Sequence, residues 1–278
     1  MSEFRRSSHD GQTFVYADTG EGPLLVLLHG FPDTPHSWDG IRSRLNGEGF
    51  RTVVPYLRGY HPETVVPGRG YGAATTAADA LRLLDSLGEQ CAVLIGHDWG
   101  ASIAYAVAHL HPERARAIVP IAIPPPHLLR PTPGLLFRTR HFLALRVPWA
   151  ESAVRRGDFA YLDTLYGRWA PNWSGPARAA SLAQVKACFR DPVALHGALA
   201  YYRDWSPRES RAVAGRVAVP GLVVGGTRDV IDVATFRQAP SGFDARCEVF
   251  VVDRAGHWPH REAEDQFVDR LLAFLRSL

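Results

Sequence analysis

Ala92-Val93-Leu94-Ile95-Gly96-His97-Asp98-Trp99-Gly100 runs from an apolar strand pattern into a tight turn, and the helical spacing of Trp99–Leu110 follows directly. Only small residues at the first and last places of Gly96–Gly100 let a strand and a helix close so sharply around the residue between them. That central side chain is lifted above the carboxyl end of the strand, and the next backbone N–H points toward charge that develops beside it. Here the raised residue is Asp98, a carboxylate already ionised at neutral pH and able to attack carbon without a base. Glycine and aspartate also populate ordinary turns, where Asp98 would only cap the helix. The rest of the chain decides between the two.

Outward from this turn, Leu24–Leu28, Thr52–Pro55, Ala117–Ile123, Val219–Val224 and Cys247–Val252 read as short buried strands, each ending near Gly or Pro. Thr75–Leu87 has helical spacing, with Ala77, Leu81, Leu84 and Leu87 on one face, and a last helix spans about Glu262–Leu275. This alternation predicts βα units and a mostly parallel sheet. Two alternating runs around His9-Asp10-Gly11 predict an opening hairpin. After Ile123 the pattern changes: Pro124-Pro125-Pro126 opens a proline-punctuated segment rich in Arg, Trp, Tyr and Ala that has no strand alternation to about Val213. The expectation is a core of residues 1–123 and 216–278, split by a helical lid of residues 124–215.

With 278 residues, 46% hydrophobic and 21% charged, the chain can bury a large core. The net charge of +3 and the lack of a Lys/Arg block give no footprint for nucleic acid or a membrane surface. No apolar run approaches membrane length, and Met1–Asp10 is polar, without the apolar stretch of a secretory signal, so a cytoplasmic protein is expected. Cys91, Cys188 and Cys247 are scattered and read as buried free thiols. Apart from His141 and His257, taken up below, the histidines show no metal-ligand spacing; His97 reads as orienting the turn, and His36, His61, His109, His111, His127, His196 and His260 as surface or structural.

Three further motifs favour chemistry at Asp98. His29-Gly30-Phe31-Pro32 follows the first parallel strand, where the Phe31 N–H can join that of Trp99 in an oxyanion hole. Asp229 follows Val219–Val224, and His257 follows the strand ending at Val252. Nucleophile, acid and histidine thus fall in the chain order of an α/β-hydrolase.

Together, His29-Gly30-Phe31-Pro32-Asp33, Leu57-Arg58-Gly59-Tyr60, Gly96-His97-Asp98-Trp99-Gly100 and Gly256-His257-Trp258 resemble the epoxide hydrolase and haloalkane dehalogenase branch of the α/β-hydrolases. The resemblance implies an eight-stranded, mostly parallel sheet flanked by helices, with a helical lid. It also implies a covalent ester on Asp98 that is hydrolysed by water activated by His257, with Asp229 rather than Asp232 or Asp253 as its acid. Leu199-Ala200-Tyr201-Tyr202-Arg203 is similar to the lid motif whose tyrosine before arginine donates a proton to the epoxide oxygen, which marks Tyr202. His141 is similar to the histidine that replaces the first lid tyrosine in a bacterial subgroup with a His/Tyr pair, and an ordinary pKa near 6.5 would suit it to that donation. The implied substrate is a small epoxide, with no cofactor or metal, in a monomer or homodimer. A haloalkane or haloacetate dehalogenase is the alternative, although Phe31 stands where many dehalogenases have asparagine, and Ala101, Ser102, Ile103 and Ala104 lack the arginines of fluoroacetate enzymes. A non-catalytic ligand-binding protein on the same fold is a third reading.

Overall fold

The computed structural model describes residues 4–68, 70–213 and 215–278. Among them, eight strands form one sheet: β1 (Phe4–His9), β2 (Gln12–Thr19), β3 (Leu24–Leu28), β4 (Arg51–Pro55), β5 (Ala92–His97), β6 (Ala115–Ile121), β7 (Gly221–Gly226) and β8 (Cys247–Val252). Their spatial order is β1-β2-β4-β3-β5-β6-β7-β8. Pairing is antiparallel for β1–β2 and β2–β4 and parallel from β4 onward. The opening hairpin turns through Asp10 (φ 49°) and Gly11 (φ 71°), two left-handed positions that match the twist of the strands they join.

β3 shows why the sheet is covered on both sides. Leu24, Val26 and Leu28 pack with Leu83, Leu84, Ile103 and Val107 on one face. Leu25 and Leu27 pack with Trp38, Ile41, Phe267 and Leu271 on the other. Alternate residues of a continuous apolar run therefore both find a core, as a parallel sheet between helical layers requires. The first layer comes from α2 (Ala73–Ser86) and α3 (Trp99–Leu110); α1 (Asp39–Gly47) lies in the other, together with the chain's last helix. On α2 the most buried positions are Ala77, Ala80, Leu83 and Leu84, so the inner face is turned away from Leu81 and Leu87, which stay half-buried. The spacing argument missed this because Thr76 and Asp79 also point inward, the latter to meet Arg58.

Between β6 and β7 the described residues contain no strand. Instead they form α4 (Pro133–Arg138), α5 (His141–Ala144), α6 (Ala150–Trp169), α7 (Gly175–Phe189), α8 (Pro192–Asp204) and α9 (Pro207–Ala212). After β7 come α10 (Val233–Arg237), α11 (Pro259–Glu262) and α12 (Glu264–Leu275). No helix among the described residues is long and apolar enough to cross a membrane. All three cysteines are free, but none is fully buried: Cys91 is exposed at the turn before β5, and Cys188 and Cys247 are half-buried.

The Leu57-Arg58-Gly59-Tyr60 loop braces the ends of β3 and β4. The Leu57 N–H donates to His29 Nε2 at 3.2 Å, and the Tyr60 ring meets the His29 ring edge-on at 4.6 Å. The guanidinium of Arg58, fully buried, donates through Nε to Asp79 Oδ2 at 2.6 Å and through Nη2 to Gln12 at 3.3 Å. Removing one partner of such a pair strands a buried charge. Arg58→Met is therefore expected to cost about 3–5 kcal/mol in denaturant unfolding. A loss below about 1 kcal/mol would show that the pair does not hold this loop.

Candidate active site

Asp98 sits between β5 and α3 at φ 53° and ψ −113°, a left-handed conformation that costs a non-glycine residue energy and persists only when its surroundings enforce it. The Asp98 N–H donates to the Ile121 carbonyl at 3.1 Å, and its own carbonyl accepts from Ala101 and Ser102 at 3.0 and 3.1 Å. A Cβ on Gly96 would run into the Gly100 carbonyl, and one on Gly100 into the Leu28 and His29 carbonyls. Glycine at both places is what lets strand, helix and neighbouring loop close on one another. Asp98 is thereby held at the carboxyl end of the sheet, the end where α/β proteins build their sites.

The carboxylate is held by its two oxygens separately. The Phe31 N–H donates to Oδ1 at 2.9 Å, while Oδ2 lies 3.4 Å from His257 Nε2. Trp99 follows Asp98 at the start of α3, but among the described residues its N–H makes no bond to the carboxylate. The other ring nitrogen of His257, Nδ1, is 2.9 Å from Asp229 Oδ1, and the Asp229 side chain is fully buried. A carboxylate can only accept, so Nδ1 carries the proton and Nε2 faces Asp98. The other two acids stand elsewhere: Asp232 pairs with Arg138 at 2.6 Å, and Asp253 accepts from Thr227 at 3.2 Å.

Electrostatics set the resting protonation. Burial alone would raise the Asp98 pKa, but the hydrogen bond and charge of His257, with the Phe31 N–H, outweigh it and hold the carboxyl below its ordinary value. Burial alone would lower that of His257; Asp229 and Asp98 more than reverse this and push it up to about 10. The resting site is thus an imidazolium between two carboxylates.

Tyr202, on α8, and His141, at the start of α5, are near enough to Asp98 for its charge to act on both. The Tyr202 ring lies 5.1 Å from those of Phe31 and Trp99, 5.0 Å from Phe142 and 5.8 Å from His141. Its neighbour Tyr201 also meets Trp99, at 5.6 Å, but otherwise packs on Tyr60 and Tyr71. Burial, reinforced by the Asp98 charge, pushes the Tyr202 phenol well above its ordinary pKa, so it keeps its proton. His141 departs from expectation. Burial against Trp169 and Phe142 pushes its pKa down to about 3, so at neutral pH it is a neutral imidazole that can donate an N–H, not an imidazolium. Its sequence neighbours could not reveal that desolvation.

Several neighbours were not foreseen. The Trp169 carbonyl accepts the His257 N–H at 2.8 Å, and its ring stands 5.0 Å from the imidazole. Glu262 accepts from the N–H groups of Gly256 at 2.9 Å and Trp258 at 3.1 Å, which fixes the loop that carries His257. His97 binds the His257 carbonyl through Nε2 at 2.8 Å; a carbonyl only accepts, so Nε2 is protonated. His260, expected to be structural or on the surface, is wholly buried, and it meets Asp33 and His97 with one ligand atom from each within 4.8 Å of the others. Those three distant positions are the one grouping of ligand-bearing side chains among the described residues that has the spacing of a metal site, and no local sequence pattern connects them.

Known proteins are similar to this chain over nearly its whole length. The chain is 27% identical to an epoxide hydrolase of Caballeronia sordidicola over 97% of its length and 92% of that protein. It is 28% identical to epoxide hydrolase A of Mycobacterium tuberculosis, with 97% and 96% covered. Among solved structures, epoxide hydrolase A of Mycobacterium thermoresistibile superposes with a TM-score of 0.83 at 25% identity, covering 99% of this chain and 98% of that one. The family model described as alpha/beta hydrolase fold matches residues 23–264, and with the sheet order and the strand-end placement of Asp98, Asp229 and His257 it follows that this chain belongs to the α/β-hydrolase family.

Proposed function

We propose that the protein is an epoxide hydrolase that converts an epoxide to a vicinal diol through an ester on Asp98. The observation that carries this reading is the Asp98 carboxylate itself, with Oδ1 held by the Phe31 N–H and Oδ2 free to attack beside His257. Oδ2 forms a bond to an epoxide carbon, the C–O bond breaks, and its electron pair goes to the epoxide oxygen. That oxygen takes a proton from Tyr202, with the neutral His141 N–H as a second donor. Asp98 is now an uncharged ester, so His257 loses one of the two charges that raised its pKa and releases its proton. The proton lost there and the one Tyr202 regains balance through solvent. His257 then takes a proton from water as the water oxygen bonds to Cγ of Asp98. Negative charge collects on Oδ1, where the Phe31 N–H is already placed and the Trp99 N–H can turn to it. Collapse expels the diol and restores the carboxylate. Residues 124–215 act as the lid that brings Tyr202 and His141 over Asp98.

Named relatives over nearly the full chain support the epoxide as substrate, as does a phenol donor across from the nucleophile. The test is a paired assay: diol formation from styrene-type epoxides, beside halide release from haloalkanes and fluoroacetate. Diol alone is expected; halide release without diol would reassign the protein as a dehalogenase. Tyr202→Phe leaves the ring and removes the proton donor. Epoxide opening should slow by about 10²–10⁴-fold with substrate affinity nearly kept. A variant within threefold of the parent would remove Tyr202 from the mechanism.

A further inference from the structure

The lid presents an apolar surface to solvent. Of the exposed large hydrophobic side chains, Leu136 (60% exposed), Phe137 (66%), Leu143 (74%) and Trp149 (66%) fall within one fourteen-residue stretch. Four such residues together are more than the scattered apolar side chains of an ordinary surface. Charge on the same stretch is one-sided: Pro124 to Ala150 contains Arg130, Arg138, Arg140 and Arg146 and no Asp or Glu. The chain-wide balance of +3 conceals this, because acids elsewhere offset it.

We propose that this face, Leu136 to Trp149 with Arg130 and Arg140, docks the enzyme onto an anionic lipid surface. The exposed apolar side chains enter the boundary between headgroups and acyl chains, and the arginines meet the lipid charge. Arg130 is exposed, and Arg140 is exposed with its guanidinium 4.2 Å above the Phe137 ring, so charge and apolar surface are presented together. The arginine beside them with an acid in reach, Arg138, is taken up by Asp232. Glu151, two residues beyond Trp149, is the nearest acid in sequence, and it is held by Arg203 at 2.6 Å and His196 at 2.9 Å. The negative charge this face lacks must therefore come from its partner. A second copy apposed through the same patch would set arginine against arginine, with no acid in the stretch to answer it. An anionic membrane supplies both the apolar phase and the charge. Docking would be flat on the surface, since no described helix is able to span. It would also set the lid, with His141 buried just inside it, against a phase in which apolar epoxides dissolve.

The proposal stands apart from the catalytic reading and is tested without turnover. The full chain is sedimented with vesicles of phosphatidylcholine alone, or of phosphatidylcholine and phosphatidylglycerol in equal parts, at about 0.05 and 0.5 M NaCl. Sedimentation velocity of the protein alone runs beside it. The expected result is binding at least tenfold stronger to the anionic vesicles, most of it lost at high salt as screening tightens. Arg130→Gln with Arg140→Gln should weaken it about thirtyfold, at about fivefold per arginine. Phe137→Ser, Leu143→Ser and Trp149→Ser together should abolish it. These side chains lie on the surface, so the thermal midpoints should stay near the parent's, which separates lost docking from lost folding. Absence of binding, or equal binding to neutral and anionic vesicles that the arginine variants leave unchanged, would overturn the proposal. So would a dimer that the triple variant dissociates, which would make the face an interface between copies.

Discussion

Asp98→Asn should leave the protein folded and lower kcat by on the order of 10⁵, comparable to the loss of an obligatory nucleophile elsewhere. The amide keeps the size of the carboxylate and can still accept the Phe31 N–H through its oxygen. Asparagine has nearly the shape of the aspartate that already holds φ 53° and ψ −113° here, so the turn itself survives. What disappears is the charge that attacks carbon. Intact mass spectrometry after mixing with an aryl epoxide should show no adduct, where the parent shows one transiently. Single turnover of the parent in H₂¹⁸O should place label in Asp98, because water attacks the ester carbonyl and not the substrate carbon. Label found only in the diol after that first turnover, or a variant within tenfold of the parent, would reject the ester.

His257→Gln should separate the two half-reactions. Asp98 is a carboxylate without help from a base, so the ester still forms; without His257 no group takes the proton from water, and the ester accumulates. Steady turnover is expected to fall by about 10⁴, with one equivalent of covalent adduct on Asp98 after mixing. In a serine hydrolase the same change would stop the first step instead. No adduct with any of several epoxides would mean that His257 serves alkylation as well.

A pH dependence follows from the same charges. In the resting site, Asp229 and Asp98 keep His257 protonated up to about pH 10. Esterification removes the Asp98 charge and lowers that pKa, and only the unprotonated imidazole is a base. Ester hydrolysis, followed by rapid mixing, should therefore rise with pH and level off, with a midpoint below the free enzyme's titration. A midpoint at or above that of the free enzyme would contradict this charge coupling.

Residue order alone carried the parallel sheet and the turn at Asp98. Leu24–Leu28 and Ala92–Ile95 are too short for helices and too apolar for an exposed sheet, and Gly96 and Gly100 leave Asp98 little freedom. Each of these is local, written in neighbours a few positions apart. Family resemblance favoured Asp229 over Asp232 and Asp253, and the physical reason lies in the third dimension. All three lie near strand ends in sequence, but only Asp229 is brought to 2.9 Å from His257.

The helical segment between β6 and β7 is where the chain's own pattern was weakest and tertiary packing decided most. Tyr201 and Tyr202 are adjacent and chemically alike and both meet Trp99, and the fold then packs one on Tyr60 and Tyr71 and the other on Phe31, His141 and Phe142. His141 was legible as a residue but not as a protonation state, because much of its cover comes from residues far along the chain, Trp169 and Tyr202. The trio of Asp33, His97 and His260 and the support that Glu262 gives the His257 loop also arise from contacts that no short window contains. At Asp98 itself, glycines at both flanks specified a strained turn in advance; the tertiary fold supplied the hydrogen bonds and the opposing charge that make the strain useful.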